Sequence, residues 1–136
     1  MLSRTFLLLV MIMNVGLESQ KYVMVEAKPP TVGVENGKTF FLQVKFKPAN
    51  GIHVNVQPPV TVRSLDDEII ANVKEMPASG EYLDFTKPVE IECKMTKGRI
   101  GEHRLNLVID YTYCSDKEKW CRMGRDTVSV KVRVKK

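Results

Sequence analysis

The feature that most constrains this chain is the strict alternation of apolar and polar residues along several segments. In the last of them, valine occupies every second position, and polar or basic residues occupy the positions between. This period of two places one set of side chains in a core and the other in water, as in half-buried antiparallel strands. The clearest alternating segments are residues 39–47, 89–95, 103–113 and 127–136.

Shorter β-rich runs fill the chain between these segments. Proline, glycine, asparagine and aspartate separate the runs, and no segment after residue 22 shows the period of a helix. Roughly seven or eight short strands in about 100 residues predict an all-β fold, an immunoglobulin-like β-sandwich. A small β-barrel is the alternative. The shorter runs are residues 23–26, 53–57, 60–64 and 69–74.

The composition indicates one ordinary globular domain. The chain has 136 residues, of which 27% are charged and 43% are hydrophobic, and this mix argues against a disordered chain. The formal net charge is +5, but the basic residues are scattered, and their densest run alternates with the C-terminal valines. That run is typical of a solvated strand face. Because no aromatic-lined basic groove or recognition helix accompanies it, we expect no nucleic-acid partner.

The N-terminal residues have the pattern of an export signal. An arginine precedes a compact apolar run at residues 6–13, which is shorter than the about 20 residues that a membrane-spanning helix needs. We predict a signal peptide or N-terminal anchor over residues 1–27 and a domain over residues 28–136. Cleavage is expected after Ala27, and a site near Ser19 competes with it. A buried N-terminal helix or strand is the alternative to export.

Export bears on the three cysteines of the chain, because a cysteine pair outside the cytoplasm can be oxidised and stay so. Cys93 is in phase with the apolar residues of its predicted strand, Val89, Ile91 and Met95. We therefore predict that Cys93 points into the core, where a thiol behaves as a small apolar group and is inert.

Cys114 and Cys121 flank a polar connection of six residues that contains one aromatic residue, Trp120. Cysteines on the two limbs of such a connection can come within disulfide distance. One interpretation is a structural clip, although closing an eight-residue loop is worth only about 2.5 kcal/mol. The second is a redox-active dithiol, since a disulfide exposed on a loop is open to an incoming thiolate. The third is half of a metal site, which the long spacing disfavours.

Other polar residues provide no second site. Neither His53 nor His103 has a regular spacing to the cysteines. We expect His53 to be a surface or hydrogen-bonded histidine, and a role near the cysteine pair is the alternative. The carboxylates at residues 66–68 are typical of a solvated turn. The sequence contains no glycine-rich phosphate loop and no HExxH pair of zinc ligands. We therefore predict no metal and no small-molecule cofactor, and we do not expect a hydrolase or a nucleotide-binding enzyme.

The C-terminal third of the chain resembles a known family. A strand that ends in Tyr-Thr-Tyr is followed directly by Cys114-Ser115-Asp116, and Cys121 comes shortly after, before a final alternating strand. In these residues, and in Gly51-Ile52-His53 and Gly80-Glu81-Tyr82 upstream, the chain is similar to the N-terminal periplasmic domain of the thiol:disulfide interchange protein DsbD, the disulfide bond corrector domain family. The resemblance extends over roughly residues 30–135.

This resemblance implies an immunoglobulin-like fold and a cysteine pair that cycles between dithiol and disulfide. Cys114 and Cys121 would be that pair, with Cys121 attacked from outside and Cys114 resolving the mixed disulfide. The implied function is an exported thiol–disulfide interchange module, a component of a protein oxidoreductase system. Such a module passes reducing equivalents between a membrane thiol–disulfide transducer and thioredoxin-like proteins in the periplasm or another extracytoplasmic compartment.

The alternative function is a non-catalytic extracytoplasmic binding or structural domain, in which Cys114–Cys121 is a fixed disulfide. The chain departs from the family pattern in three places. Arg122-Met123-Gly124 follows the second cysteine where the family usually has proline-rich sequence, Ile52 replaces a tryptophan, and the spacing between the cysteines is one residue longer than is common. The sequence also shows no transmembrane segments or thioredoxin domain after this domain, so we expect separately encoded partners.

Overall fold

A computed structural model of the chain describes residues 21–136, and residues 1–20 of the predicted signal segment lie outside this range. The described residues form strands joined by turns and contain no helix. In this part of the chain there is accordingly no helix that could span a membrane. In chain order the strands are β1 (Val23–Lys28), β2 (Val34–Glu35), β3 (Phe40–Pro48), β4 (Ile52–Val54), β5 (Thr61–Ser64), β6 (Ile69–Glu75), β7 (Ala78–Ser79), β8 (Tyr82–Leu83), β9 (Val89–Met95), β10 (Gly101–Ser115) and β11 (Trp120–Lys135).

Two sheets share one core and make a β-sandwich. One sheet has four strands in the order β1-β3-β9-β6, and the other has five, with β2-β11-β10-β4 in order and β5 also paired with β10. The strand pairs are antiparallel except for the short β2–β11 pair. The β7–β8 hairpin is a separate two-stranded sheet. The predicted all-β, immunoglobulin-like sandwich is confirmed.

Alternation decides which side chains form the core. Each of the four alternating segments lies almost wholly in a strand, and most of its inward-facing apolar positions are buried, with Met95 and Tyr113 half-buried. Cys93 is fully buried between its cross-strand neighbours Phe40 and Ala71, as its phase predicted. The largest fully buried side chains are those of Val23, Leu42, Val44, Phe46, Val54, Val89, Ile91, Cys93, Leu105, Leu107 and Ile109.

The first strand crosses the expected boundary of the domain. β1 pairs with β3 along its whole length, and Val23 is only 2% exposed. The boundary expected between residues 27 and 28 therefore falls inside a paired strand. Cleavage after Ala27 would remove most of β1 and uncover the edge of β3. Cleavage near Ser19 would leave β1 whole.

Candidate functional site

The long hairpin of β10 and β11 brings Cys114 and Cys121 together. The two strands pair without interruption as far as Ser115 opposite Trp120, so the two cysteines stand directly opposite each other. They form a disulfide, and their Cα atoms are 4.1 Å apart. The strand pairing thus continues past the cysteines, where the sequence predicted a longer loop.

A tight turn at residues 116–119 closes the hairpin just beyond the disulfide. The backbone N–H of Lys119 donates to the carbonyl oxygen of Ser115 over 3.0 Å, and the N–H of Glu118 donates to Ser115 Oγ over 3.2 Å. Lys119 has a φ of 58°, the left-handed conformation that commonly completes hairpin turns longer than two residues. These contacts fix the end of the hairpin and hold the disulfide in one place.

The disulfide lies on the outer face of the five-stranded sheet. In β10 the core-facing residues are Leu105, Leu107, Ile109 and Tyr111, so Cys114 projects from the opposite face. Cys121 is exposed to solvent, whereas Cys114 is half-buried. The two residues of the disulfide therefore differ in exposure, and this difference favours Cys121 as the side that an incoming nucleophile reaches.

Asn55 contacts the sulfur of Cys114, the less exposed of the two cysteines. Its Nδ2 atom donates a hydrogen bond to Cys114 Sγ over 3.2 Å. The backbone of Asn55 is held by a hydrogen bond from its N–H to the carbonyl oxygen of Thr112, over 2.8 Å, and by a β-bridge to Tyr82. Its Oδ1 atom is buried and has no hydrogen-bond partner among the described residues. No pattern in the sequence predicts this contact, because Asn55 lies far from the cysteines along the chain.

His53 lies on the other side of Cys114 from Cys121. It is the β4 residue opposite Cys114, so that His53, Cys114 and Cys121 form one row across three strands. His53 is hydrogen-bonded, as expected, but it belongs to the surroundings of the cysteine pair. Its Nε2 atom is 2.6 Å from Oδ2 of Asp116, and its ring stacks on that of Tyr82 at a centroid distance of 4.3 Å.

Asp116 joins three elements at this end of the molecule. Besides its contact with His53 in β4, it accepts a hydrogen bond from the hydroxyl of Tyr82 in β8 over 3.3 Å. The negative charge of Asp116 is the main reason that the pKa of Tyr82 is raised above its ordinary value. The β7–β8 hairpin is thereby tied to the turn that follows Cys114.

An open groove of about 720 Å³ runs beside the disulfide. Asn55 and both cysteines line it, with the turn before β8 on one side and Trp120 on the other. The groove is open to solvent and reaches Cys121, the more exposed of the two cysteines.

Trp120, which borders the groove, also packs against the aromatic rings of Tyr22 and Tyr113. Its ring meets those of Tyr22 and Tyr113 edge to face at centroid distances of 5.1 and 5.8 Å. The guanidinium of Arg122 lies 4.3 Å from the centre of the Trp120 ring. These aromatic contacts pack against the end of the β10–β11 hairpin.

No metal centre is formed within residues 21–136, where no group of three or more histidine, cysteine, aspartate or glutamate side chains is arranged to hold an ion. The His53–Asp116 pair and the disulfide lie close together, but sulfurs bonded to each other are not thiolate ligands. The chemistry available at this site is that of the disulfide itself.

Comparison with known proteins adds little to this picture. No protein-family model matches the chain, and no curated protein is similar to it in sequence. Among solved structures, murine CRIg is similar over 85% of this chain and 100% of its own, with 8% identical residues and a TM-score of 0.46. A similarity this distant carries no information about function.

Proposed function

We propose that this protein is an exported thiol–disulfide interchange module whose working group is the Cys114–Cys121 disulfide. The observation that carries the proposal is the position of the bond, which lies on an outer sheet face beside an open groove, with Cys121 the more exposed of its two residues. Exchange requires a sulfur that a thiolate can reach, and an exposed cysteine beside an open groove favours such access.

A purely structural role accounts less well for the position of the disulfide. The disulfide joins two strands that already pair along their whole length, and it closes a loop with a sequence separation of only 7. The chain-entropy gain for such a loop is about 2.5 kcal/mol. The sandwich has a core of its own, so this gain is small beside what apolar burial supplies.

In the proposed reaction an incoming thiolate attacks Sγ of Cys121. A bond forms between these two sulfurs, the Cys114–Cys121 bond breaks, and its electron pair stays on Sγ of Cys114. A second thiolate of the donor then attacks the mixed disulfide, so that the donor becomes a disulfide and this protein a dithiol. Delivery to an acceptor runs in reverse: Cys121 attacks the disulfide of the acceptor, and Cys114 resolves the mixed disulfide.

The proposed partners follow from the resemblance to the DsbD domain. A membrane thiol–disulfide transducer would supply the electrons, and thioredoxin-like proteins outside the cytoplasm would receive them. The export signal predicted over residues 1–27 supports a periplasmic or other extracytoplasmic location, where the pair can be oxidised. The groove beside Cys121 is where the partner segment around its own cysteine would dock.

Redox titration of the Cys114–Cys121 pair, followed by alkylation and mass spectrometry, tests this function. A reduction potential of about −200 mV, with ready reduction by a thioredoxin-like donor, is expected for an exchange module. Cys114→Ala should then trap a mixed disulfide through Cys121. A potential below about −300 mV, with no reduction of the native protein, would instead assign the bond to a non-catalytic binding or structural domain.

A further inference from the structure

The hydrogen bond from Asn55 to Cys114 changes in strength during exchange. In the oxidised protein, Nδ2 of Asn55 donates to a disulfide sulfur, which is a weak acceptor. When the sulfur–sulfur bond breaks, negative charge collects on Sγ of Cys114, and hydrogen bonds to a charged acceptor are roughly twice as strong as neutral ones. An interaction that strengthens as charge develops lowers the barrier to the reaction.

Asn55 is held in place before any partner arrives. The backbone hydrogen bond to Thr112 ties it to β10, two residues before Cys114, and the bridge to Tyr82 ties it to β8. Its amide donor therefore needs no rearrangement when the charge appears. The Oδ1 end of the same amide is buried, so the side chain that carries the donor is enclosed by the fold.

We propose that Asn55 is a catalytic residue of the exchange reaction and stabilises the thiolate of Cys114 as it leaves. This inference rests on the proposed function. The attacking thiolate forms its bond to Cys121, the electron pair of the old bond moves onto Cys114, and the Nδ2–H of Asn55 binds that charge without transferring a proton. In the reverse step the same contact aims the Cys114 thiolate at the mixed disulfide.

The other polar groups near Cys114 do not replace this donor. His53 directs Nε2 to Asp116, and the hydroxyl of Tyr82 also donates to Asp116. Asp116 is an acceptor whose charge opposes a thiolate, and Lys119, on the rim of the groove, is exposed. Among the described residues, Asn55 provides the side-chain hydrogen bond recorded at the Cys114 sulfur.

Two measurements test the role of Asn55. The first is the rate at which dithiothreitol reduces the purified native protein, compared between wild type, Asn55→Ala and the control Asn72→Ala, which changes an exposed asparagine on β6 of the other sheet. The second is the pH midpoint of Cys114 alkylation in Cys121→Ser, with and without Asn55→Ala. A hydrogen bond to a charged group is worth about tenfold to a hundredfold in rate. We expect Asn55→Ala to lose that factor and to raise the alkylation midpoint, while Asn72→Ala matches wild type.

Asn55→Asp provides a second variant, whose side chain has nearly the same shape as asparagine. It can be measured if the alanine variant fails to fold. It removes the donor and adds a negative charge, and it should slow reduction and raise the alkylation midpoint at least as much. Equal reduction rates for wild type and the folded Asn55 variants, together with equal alkylation midpoints in Cys121→Ser with and without the Asn55 substitution, would overturn the role of Asn55 alone. A wild-type disulfide that dithiothreitol does not reduce in the native protein would overturn the proposed function as well.

Discussion

The ring of Tyr111 lies directly against the backbone of Gly124, its cross-strand partner in the β10–β11 hairpin. A Cβ atom on Gly124 would come within 2.5 Å of the ring carbons of Tyr111, a distance that such atoms do not adopt. The hydroxyl of Tyr111 donates to Asp126 over 2.6 Å, and its ring meets Phe46 edge to face. The Tyr111 side chain is thus held at its hydroxyl and at its ring, and only glycine at position 124 leaves space for it.

Gly124→Ala should therefore destabilise the fold. Because the Tyr111 ring is held by Asp126 and Phe46, it cannot move away freely, and overpacking of this kind costs about 1–3 kcal/mol. Chemical denaturation of the oxidised protein would measure the loss in free energy of unfolding. Gly33→Ala is the matched control, since its Cβ atom would make an ordinary contact of 3.4 Å with Lys135. Equal stabilities for the two variants would contradict the packing described here.

Removing the disulfide should leave the sandwich folded. We expect Cys114→Ala combined with Cys121→Ala to lower the free energy of unfolding by about 2.5 kcal/mol, the entropy cost of the released loop. The strand pairs on both sides of the cysteines do not depend on the bond. Comparison of denaturation curves for the variant and the oxidised wild type checks this value. A variant without cooperative unfolding would show that the disulfide is structurally essential, against the proposed exchange function.

Cys93 should stay unmodified in the native protein. Its burial is the main reason that the pKa of its thiol is raised to about 12, so the reactive thiolate is almost absent at neutral pH. Iodoacetamide labelling with mass spectrometry should find Cys93 modified only after denaturant is added, at a rate set by unfolding. Labelling in the native state as fast as that of an unfolded control would contradict both its burial and the register of β9.

The fold could be predicted from the sequence because its determinants are local. Alternation along the strands placed Cys93 and the C-terminal valines in the core without any knowledge of their neighbours. The pairing of β1 is the exception. The run from Val23 was recognised as β-rich, but its pairing with β3 involves residues about 20 positions away, which periodicity does not report.

The contacts around the cysteines were harder to predict because they too join residues that are distant along the chain. The pairing of Cys114 with Cys121 connects two limbs of one hairpin, and their proximity follows from local sequence. Asn55 and His53 reach Cys114 because β4 pairs with the end of β10, a contact between distant parts of the chain. A histidine and an asparagine two residues apart in a strand share a face, but nothing in the sequence says what that face meets.

Asp116 should control the titration of Tyr82. Its charge raises the pKa of Tyr82, so the neutral phenol is favoured in the fold. A raised folded pKa contributes stability that is present below the unfolded pKa and is lost as the pH rises through the folded value. Asp116→Asn removes the charge but keeps an acceptor, and it should lower the pKa of Tyr82 and reduce this alkaline loss. NMR titration of the Tyr82 ring measures the shift, with Asp110→Asn as a control on the same sheet. An unchanged titration would mean that Asp116 does not face Tyr82 in solution.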